Sequence, residues 1–297
     1  MKRLKGTIRT VICVVVVMLT LSVSVLGCNK REAGATVPSV DVPMVDIPPV
    51  ESSAQAESVE ASTATEVPET TAPGEPIPAV DRQSELAEAR GKNADTVAWL
   101  YIPGVDVDDP IVQAADNGYY LHLDENGSYA VWGCYYADCR NHFDGRDGLD
   151  TNTVIYGHSA SNCDAENGPK FTKLHRYMDA DFVAENPYIY LSVDGEDLIF
   201  QVTACFITDV SFDYINPDPT GTDLTDFFEN VERKNWLDVE GVTFSEGDQI
   251  LTLSTCCRKY DADWSGNIRL VVMAKLLPEN AVAQDFHVSL VSDPEMP

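Results

Sequence analysis

The chain has 297 residues and carries 48 acidic against 20 basic side chains, a formal net charge of -28. That balance excludes nucleic acid as a partner, because phosphate binding needs a basic surface, and it fits a self-repelling domain held outside a cell. The eight cysteines include no C-x-x-C pair, which removes the zinc-ribbon and thioredoxin readings, and they are too sparse for a disulfide scaffold.

In chain order, residues 1–28 read as a targeting segment. Lys2, Arg3, Lys5 and Arg9 make a basic start, and Val11 to Leu26 is uncharged and rich in Val, Leu and Ile, the pattern of an export signal. The apolar run is shorter than the ~20 residues that span a bilayer comfortably. It predicts either a short membrane helix extended by Gly27 and Cys28, or a lipid on Cys28, since Val25-Leu26-Gly27-Cys28 resembles a bacterial lipobox. With either anchor the basic flank stays inside and the rest faces outward. Residues 29–80 then form a spacer. From Arg31 to Val80 there is no Phe, Tyr or Trp, only a Pro, Glu, Ala, Ser, Thr and Val-rich stretch that cannot bury enough apolar area to offset chain entropy. A flexible spacer of ~50 residues has an r.m.s. span of about 40 Å, enough to lift a domain off a membrane.

Residues 81–277 form one domain of ordinary size, followed by a C-terminal tail over 278–297. Ser84 to Val97 predicts a helix, with Leu86, Ala89, Ala94 and Val97 on one face and Gly91 weakening it. Short β-rich runs follow at Trp99–Ile102, Thr153–Tyr156, Tyr188–Val193, Leu198–Ile207, Ile250–Thr255 and Ile268–Ala274, several closed by Gly or Pro turns. Two helical patches interrupt them, Lys170–Met178 and Leu224–Arg233. The predicted class is mainly β with peripheral helices, as a sandwich or barrel.

Three places carry chemistry. Thr153-Val-Ile-Tyr-Gly-His158 presents a His where a strand stops. Leu251-Thr-Leu-Ser-Thr-Cys256-Cys257-Arg258 ends a strand in Cys, and Asn267-Ile-Arg269-Leu-Val-Val sets an Arg among apolar strand residues. Each alone reads more simply: a structural His at a turn, a buried inert Cys, an Arg on a solvated strand face. Together they supply a thiol, a proton carrier and a cation for a developing oxyanion, the three requirements of Cys acyl chemistry.

Thr252-Leu-Ser-Thr-Cys256 resembles the signature around the catalytic Cys of the sortase family, and Tyr156-Gly-His158 its catalytic-His motif. The order His, Cys, then Arg on the following strand is also that of the family. Val97-Ala-Trp-Leu-Tyr-Ile-Pro-Gly-Val, Tyr119-Tyr-Leu-His, Phe171-Thr-Lys-Leu and Asn186-Pro-Tyr-Ile-Tyr-Leu are similar to class B members. The resemblance implies a closed β-barrel with an N-terminal helix and a helix-containing insertion between late strands, matching Phe212 to Ser245. It also implies a transpeptidase without metal or organic cofactor. Cys256, His158 and Arg269 would be catalytic, Ser254 and Thr255 would line the peptide groove, and Tyr214 and Ile215 would meet the substrate. Its partners would be a sorting-signal peptide of a secreted surface protein and an amine of a peptidoglycan precursor or a pilin, at the outer face of a bacterial plasma membrane reached through the N-terminus.

Cys257 directly after Cys256 is a departure. Adjacent strand residues face opposite sides, and the motif register selects Cys256. Arg258 competes with Arg269, because the Cys256–Arg269 gap is long. Asp261 and Asp263 read as surface loop carboxylates, and His122, His142, His175 and His287 as structural or exposed. Cys134 and Cys139 could pair or stay reduced. Two rival functions are an L,D-transpeptidase-like enzyme using Cys256 and Arg258, which lacks the expected His-Gly before its Cys, and an inactive surface lipoprotein serving as a binding module.

Overall fold

A computed structural model describes residues 75–160, 167–261, 265–283 and 287–297. The anchor over 1–28 with Cys28, the spacer as far as residue 74, Cys163 and Asp263 lie outside the described residues. Among the described residues no helix is long and apolar enough to cross a membrane.

Ten strands form. They are β1 (Thr96–Ile102), β2 (Val107–Val112), β3 (Tyr135–Ala137), β4 (Asn152–Tyr156), β5 (Tyr188–Val193), β6 (Glu196–Asp209), β7 (Leu237–Val239), β8 (Ile250–Cys256), β9 (Ile268–Leu276) and β10 (Val288–Leu290). Eight of them close a barrel in the order β1-β2-β3-β4-β8-β9-β6-β5, and β7 and β10 pair separately. The β2–β3 and β4–β8 pairs are parallel, and the other barrel pairs are antiparallel. A parallel pair requires a long crossover, and here the chain between β4 and β8 builds β5, β6 and the insertion before returning. The reward of that detour is that β4 and β8 end on the same rim.

β8 is buried along nearly its whole length because both of its faces are covered, and its Thr252, Ser254 and Thr255 hydroxyls are each hydrogen-bonded there. Leu251, Leu253 and Cys257 point into the barrel with Leu270, Val272 and Ala274 of β9. Ile250 lies on the outer face with Val271 and Met273, under Phe227 and Val231 of the insertion's helix α3 (Thr222–Lys234, preceded by α1, Gln83–Lys92, and α2, Ala180–Glu185). The amphipathic spacing of Leu224, Phe227, Phe228 and Val231 is the cause of that docking.

The fold departs from the sequence expectation in several places. The N-terminal helix stops at Lys92 rather than Val97, since Asn93 is extended and Thr96 already pairs in β1. Lys170–Met178 coils as 3₁₀ turns, and α2 follows with Asp179 accepting from the backbone N–H groups of Asp181 and Phe182. The described residues of the tail, 278–283 and 287–297, are part of the packed structure. β10 pairs with β7, Lys234 meets Glu295 at 2.8 Å, and Ala283 N–H donates to Glu75 O. Cys134 and Cys139 are both thiols.

Candidate active site

The parallel register of β4 and β8 runs from Asn152↔Ile250 to Tyr156↔Ser254. Two residues further along each strand direction stand His158 and Cys256. β9 pairs antiparallel with β8 and sets Arg269 directly opposite Cys256, so these two side chains share a face. His158, Cys256 and Arg269 therefore gather on one rim of the barrel, and each is partly exposed. The alternation of the strand sends Cys257 the other way, into the core at 2% exposure.

Gly157 makes the approach of His158 possible. A Cβ there would lie 2.6 Å from the Phe171 ring and 2.9 Å from that of Tyr135. Thr255 Oγ1 donates to Gly157 O at 2.7 Å and ties the two strands together at this point. Thr255, expected in the groove, has its hydroxyl buried on Gly157, on the face opposite Cys256. Ser254, two residues before Cys256 and on its face, bonds the Tyr214 hydroxyl at 2.9 Å. Tyr214 is buried and Ile215 half-buried at the start of the insertion. Burial raises the Tyr214 phenol pKa. It also pushes that of Tyr136 up to about 12, helped by the neighbouring Cys256.

The His158 ring is held on several sides. Nε2 bonds Leu121 O at 2.7 Å, the His122 ring stacks at 5.5 Å with planes 12° apart, and Trp132 meets it edge-on at 6.4 Å. Nε2 donates to that carbonyl, so Nδ1 is the ring nitrogen it leaves unheld. Sequence reasoning set His122 aside as structural or exposed. It is exposed, yet it is a ring neighbour of His158, and the only sequence hint was its place in Tyr119-Tyr-Leu-His. Leu121, Tyr129, Val131 and Trp132 leave this side of the rim apolar and exposed.

Arg269 is anchored through Nη1, which donates to Gly266 O at 2.6 Å and Ile268 O at 3.1 Å. The turn presenting Gly266 is organised by Asp261, which is buried rather than on the surface. Its carboxylate accepts from Ser265 N–H and Oγ, Gly266 N–H and Arg258 Nη1. Arg258 thus serves the turn. His142 pairs with Asp150 away from the rim. Among the described residues no His, Cys, Asp and Glu cluster could hold a metal ion.

A second network braces the site from β3. Asp138 is fully buried and accepts from Arg140 Nε at 2.8 Å and Nη2 at 2.9 Å, Tyr156 OH at 2.7 Å and Asn117 Nδ2 at 2.9 Å. Burial opposes its ionisation, but the bonds from Arg140, Tyr156 and Asn117 win and hold its pKa down to about 2. An unfolded Asp titrates near pH ~4. Between these values the unfolded chain binds the proton more readily, so the stabilisation is complete above ~pH 4 and is lost as pH falls toward 2. Urea titrations are expected to show about 2–3 kcal/mol of acid destabilisation from this group, and Asp138→Asn a shallower acid limb. An unchanged limb in the variant would remove Asp138 from the explanation.

Residues 100–277 match the family described as Sortase domain. The chain is 32% identical over 196 residues to sortase B of Listeria monocytogenes, covering 66% of this chain and 75% of that relative. Among solved structures, the Staphylococcus aureus sortase B–substrate complex superposes with a TM-score of 0.57 at 26% identity, covering 66% of this chain and 86% of that one. A sortase B complexed with triglycine matches with a TM-score of 0.56 at 26% identity, covering 67% and 87%.

Proposed function

The chain belongs to the sortase family, with class B relatives, and is a cysteine transpeptidase of surface-protein sorting; from that premise we propose that Cys256, His158 and Arg269 perform the reaction. The Cys256 thiolate attacks the carbonyl carbon of the Thr in a sorting signal. A tetrahedral oxyanion forms and is stabilised by the Arg269 guanidinium. The C–N bond breaks to leave a thioester on Cys256, and His158 delivers a proton through Nδ1 to the departing amine. An incoming amine then attacks the thioester carbonyl, gives its proton to His158 and expels the Cys256 thiolate, which restores the starting state. The reading is supported above all by the strand register, in which Cys256 faces Arg269 and is level with His158 on the parallel neighbour.

Tyr214, Ile215 and Ser254 meet the sorting peptide in this reading. Thr255 contributes by fixing the Gly157 carbonyl next to His158. The acceptor is a primary amine of a peptidoglycan precursor or a pilin lysine, for which the triglycine complex of a sortase B is the supporting precedent. The enzyme works at the outer face of a bacterial plasma membrane, held by an N-terminal helix or by lipid on Cys28 at the end of the 29–80 spacer. The acidic composition supports a site outside the cell.

Incubating the purified protein with a panel of sorting peptides and triglycine tests this. The expected result is a peptide–glycine conjugate whose yield rises with triglycine concentration. Peptides bound but never cleaved would favour a binding module instead.

A further inference from the structure

The turn from Tyr214 to Asp218 enters the insertion above β4. Every carbonyl from Tyr214 to Pro217 is bonded to the elements beneath it. Asn152 Nδ2 donates to Tyr214 O and to Asn216 O, each at 2.9 Å, Arg140 Nη2 donates to Ile215 O at 2.8 Å, and Asn152 N–H donates to Pro217 O at 2.8 Å. Thr151 N–H adds a bond to the Asp218 carboxylate at 3.1 Å. Asn152 is fully buried, and its Oδ1 accepts from Thr252 Oγ1 at 2.6 Å. Its amide hydrogens and its carbonyl are all engaged. Arg140 is itself fixed by the buried Asp138.

A surface turn does not need this much fastening to exist. Turns ordinarily leave part of their backbone to water, whereas this one is bonded from below at each successive carbonyl. We propose that Asn152 and Arg140 are positioning residues that set the turn Tyr214–Asp218 in its peptide-receiving shape before the sorting peptide arrives. The proposal rests on the reading of Tyr214 and Ile215 as peptide contacts. Neither Asn152 nor Arg140 touches the peptide itself. Their contribution is preorganisation, since a turn that must be ordered during binding subtracts that entropy from affinity. Freezing the backbone of a single residue is already worth roughly tenfold in an equilibrium.

Arg140→Met and Asn152→Asp in the full chain test this. The first removes the Ile215 bond, together with the two Arg140 bonds to the buried Asp138, from a half-exposed side chain. The second turns the donor pair under Tyr214 O and Asn216 O into acceptors of similar size. The expected result is a sorting-peptide KM raised roughly tenfold, a kcat within about twofold of wild type, and an unchanged rate of Cys256 alkylation by iodoacetamide. If Tyr214→Ala and Ile215→Ala raise KM while Arg140→Met and Asn152→Asp do not, the clamp is overturned and the reading of the turn stands. If the Tyr214 and Ile215 variants leave KM unchanged as well, that reading falls and takes the clamp with it. A parallel drop of kcat, alkylation rate and melting temperature in Arg140→Met would also overturn the clamp, because it marks a general structural role. Arg140→Met keeps the test decisive should Asn152→Asp fail to fold.

Discussion

Cys256→Ala is expected to abolish sorting-peptide cleavage, by at least ~10⁴-fold in kcat, the scale seen when a covalent nucleophile is removed. Cys257→Ala is expected to retain kcat within a few-fold. The two residues are adjacent and chemically identical, so the difference is purely one of direction. Cys256 is partly exposed on the outer face with Ser254 and opposite Arg269, whereas Cys257 packs at 2% exposure among Leu251, Leu253 and Leu270. Truncating Cys257 should therefore appear in stability, at about 1–2 kcal/mol for a small core truncation. The paired measurement is steady-state cleavage plus urea unfolding on both variants. Inverted phenotypes, with Cys257→Ala dead and Cys256→Ala active, would reverse the assignment.

Arg269→Met is expected to lower kcat by roughly 10²–10³-fold, the usual loss for one oxyanion donor, with the peptide KM changed only a few-fold. The effect should lie in the acylation step, where charge develops on the carbonyl oxygen. Arg269→Lys should recover only part of it. The planar guanidinium can donate through Nη1 to Gly266 O and Ile268 O while keeping further donors for the substrate. An ammonium is a single point charge and cannot divide itself in that way. Arg258→Met is the control. Its guanidinium is bonded to Asp261, so kcat should stay within a few-fold, with any loss felt through the turn that carries Gly266. Equal damage from Arg258→Met and Arg269→Met would mean that the turn as a whole, rather than Arg269, supports the oxyanion.

Much of the frame behind these expectations was legible in the residues. β4, β5, β6, β8 and β9 read as apolar runs because they are long and buried on one or both faces. β2 was hidden by Asp108, Asp109 and Pro110, tolerated because β3 pairs only with Ile111 and Val112, which leaves Pro110 paired on the β1 side alone. β3, β7 and β10 are three residues each, too short to show a period, and they exist only through partners remote in sequence. The same reason explains what the site withheld. His158, Cys256 and Arg269 could be picked out by type, order and resemblance. The Leu121 carbonyl and His122 ring beside His158, the Asp261 brace behind Arg269, and the Asn152 and Arg140 bonds under Tyr214–Pro217 join segments that only the barrel brings together. Alternation along β8 puts Thr255 on the face opposite Cys256, where its hydroxyl bonds Gly157 O.

That the acyl group rests on Cys256 is tested most directly by trapping the intermediate. The full-length protein would be mixed with a cleavable sorting peptide without any amine acceptor, quenched in acid and digested. Fragmentation mass spectrometry would then localise the added mass within the segment holding Cys256 and Cys257. The predicted result is a thioester adduct on Cys256 that disappears when triglycine is added. An adduct on Cys257, or cleavage that proceeds in Cys256→Ala with no adduct at all, would contradict it.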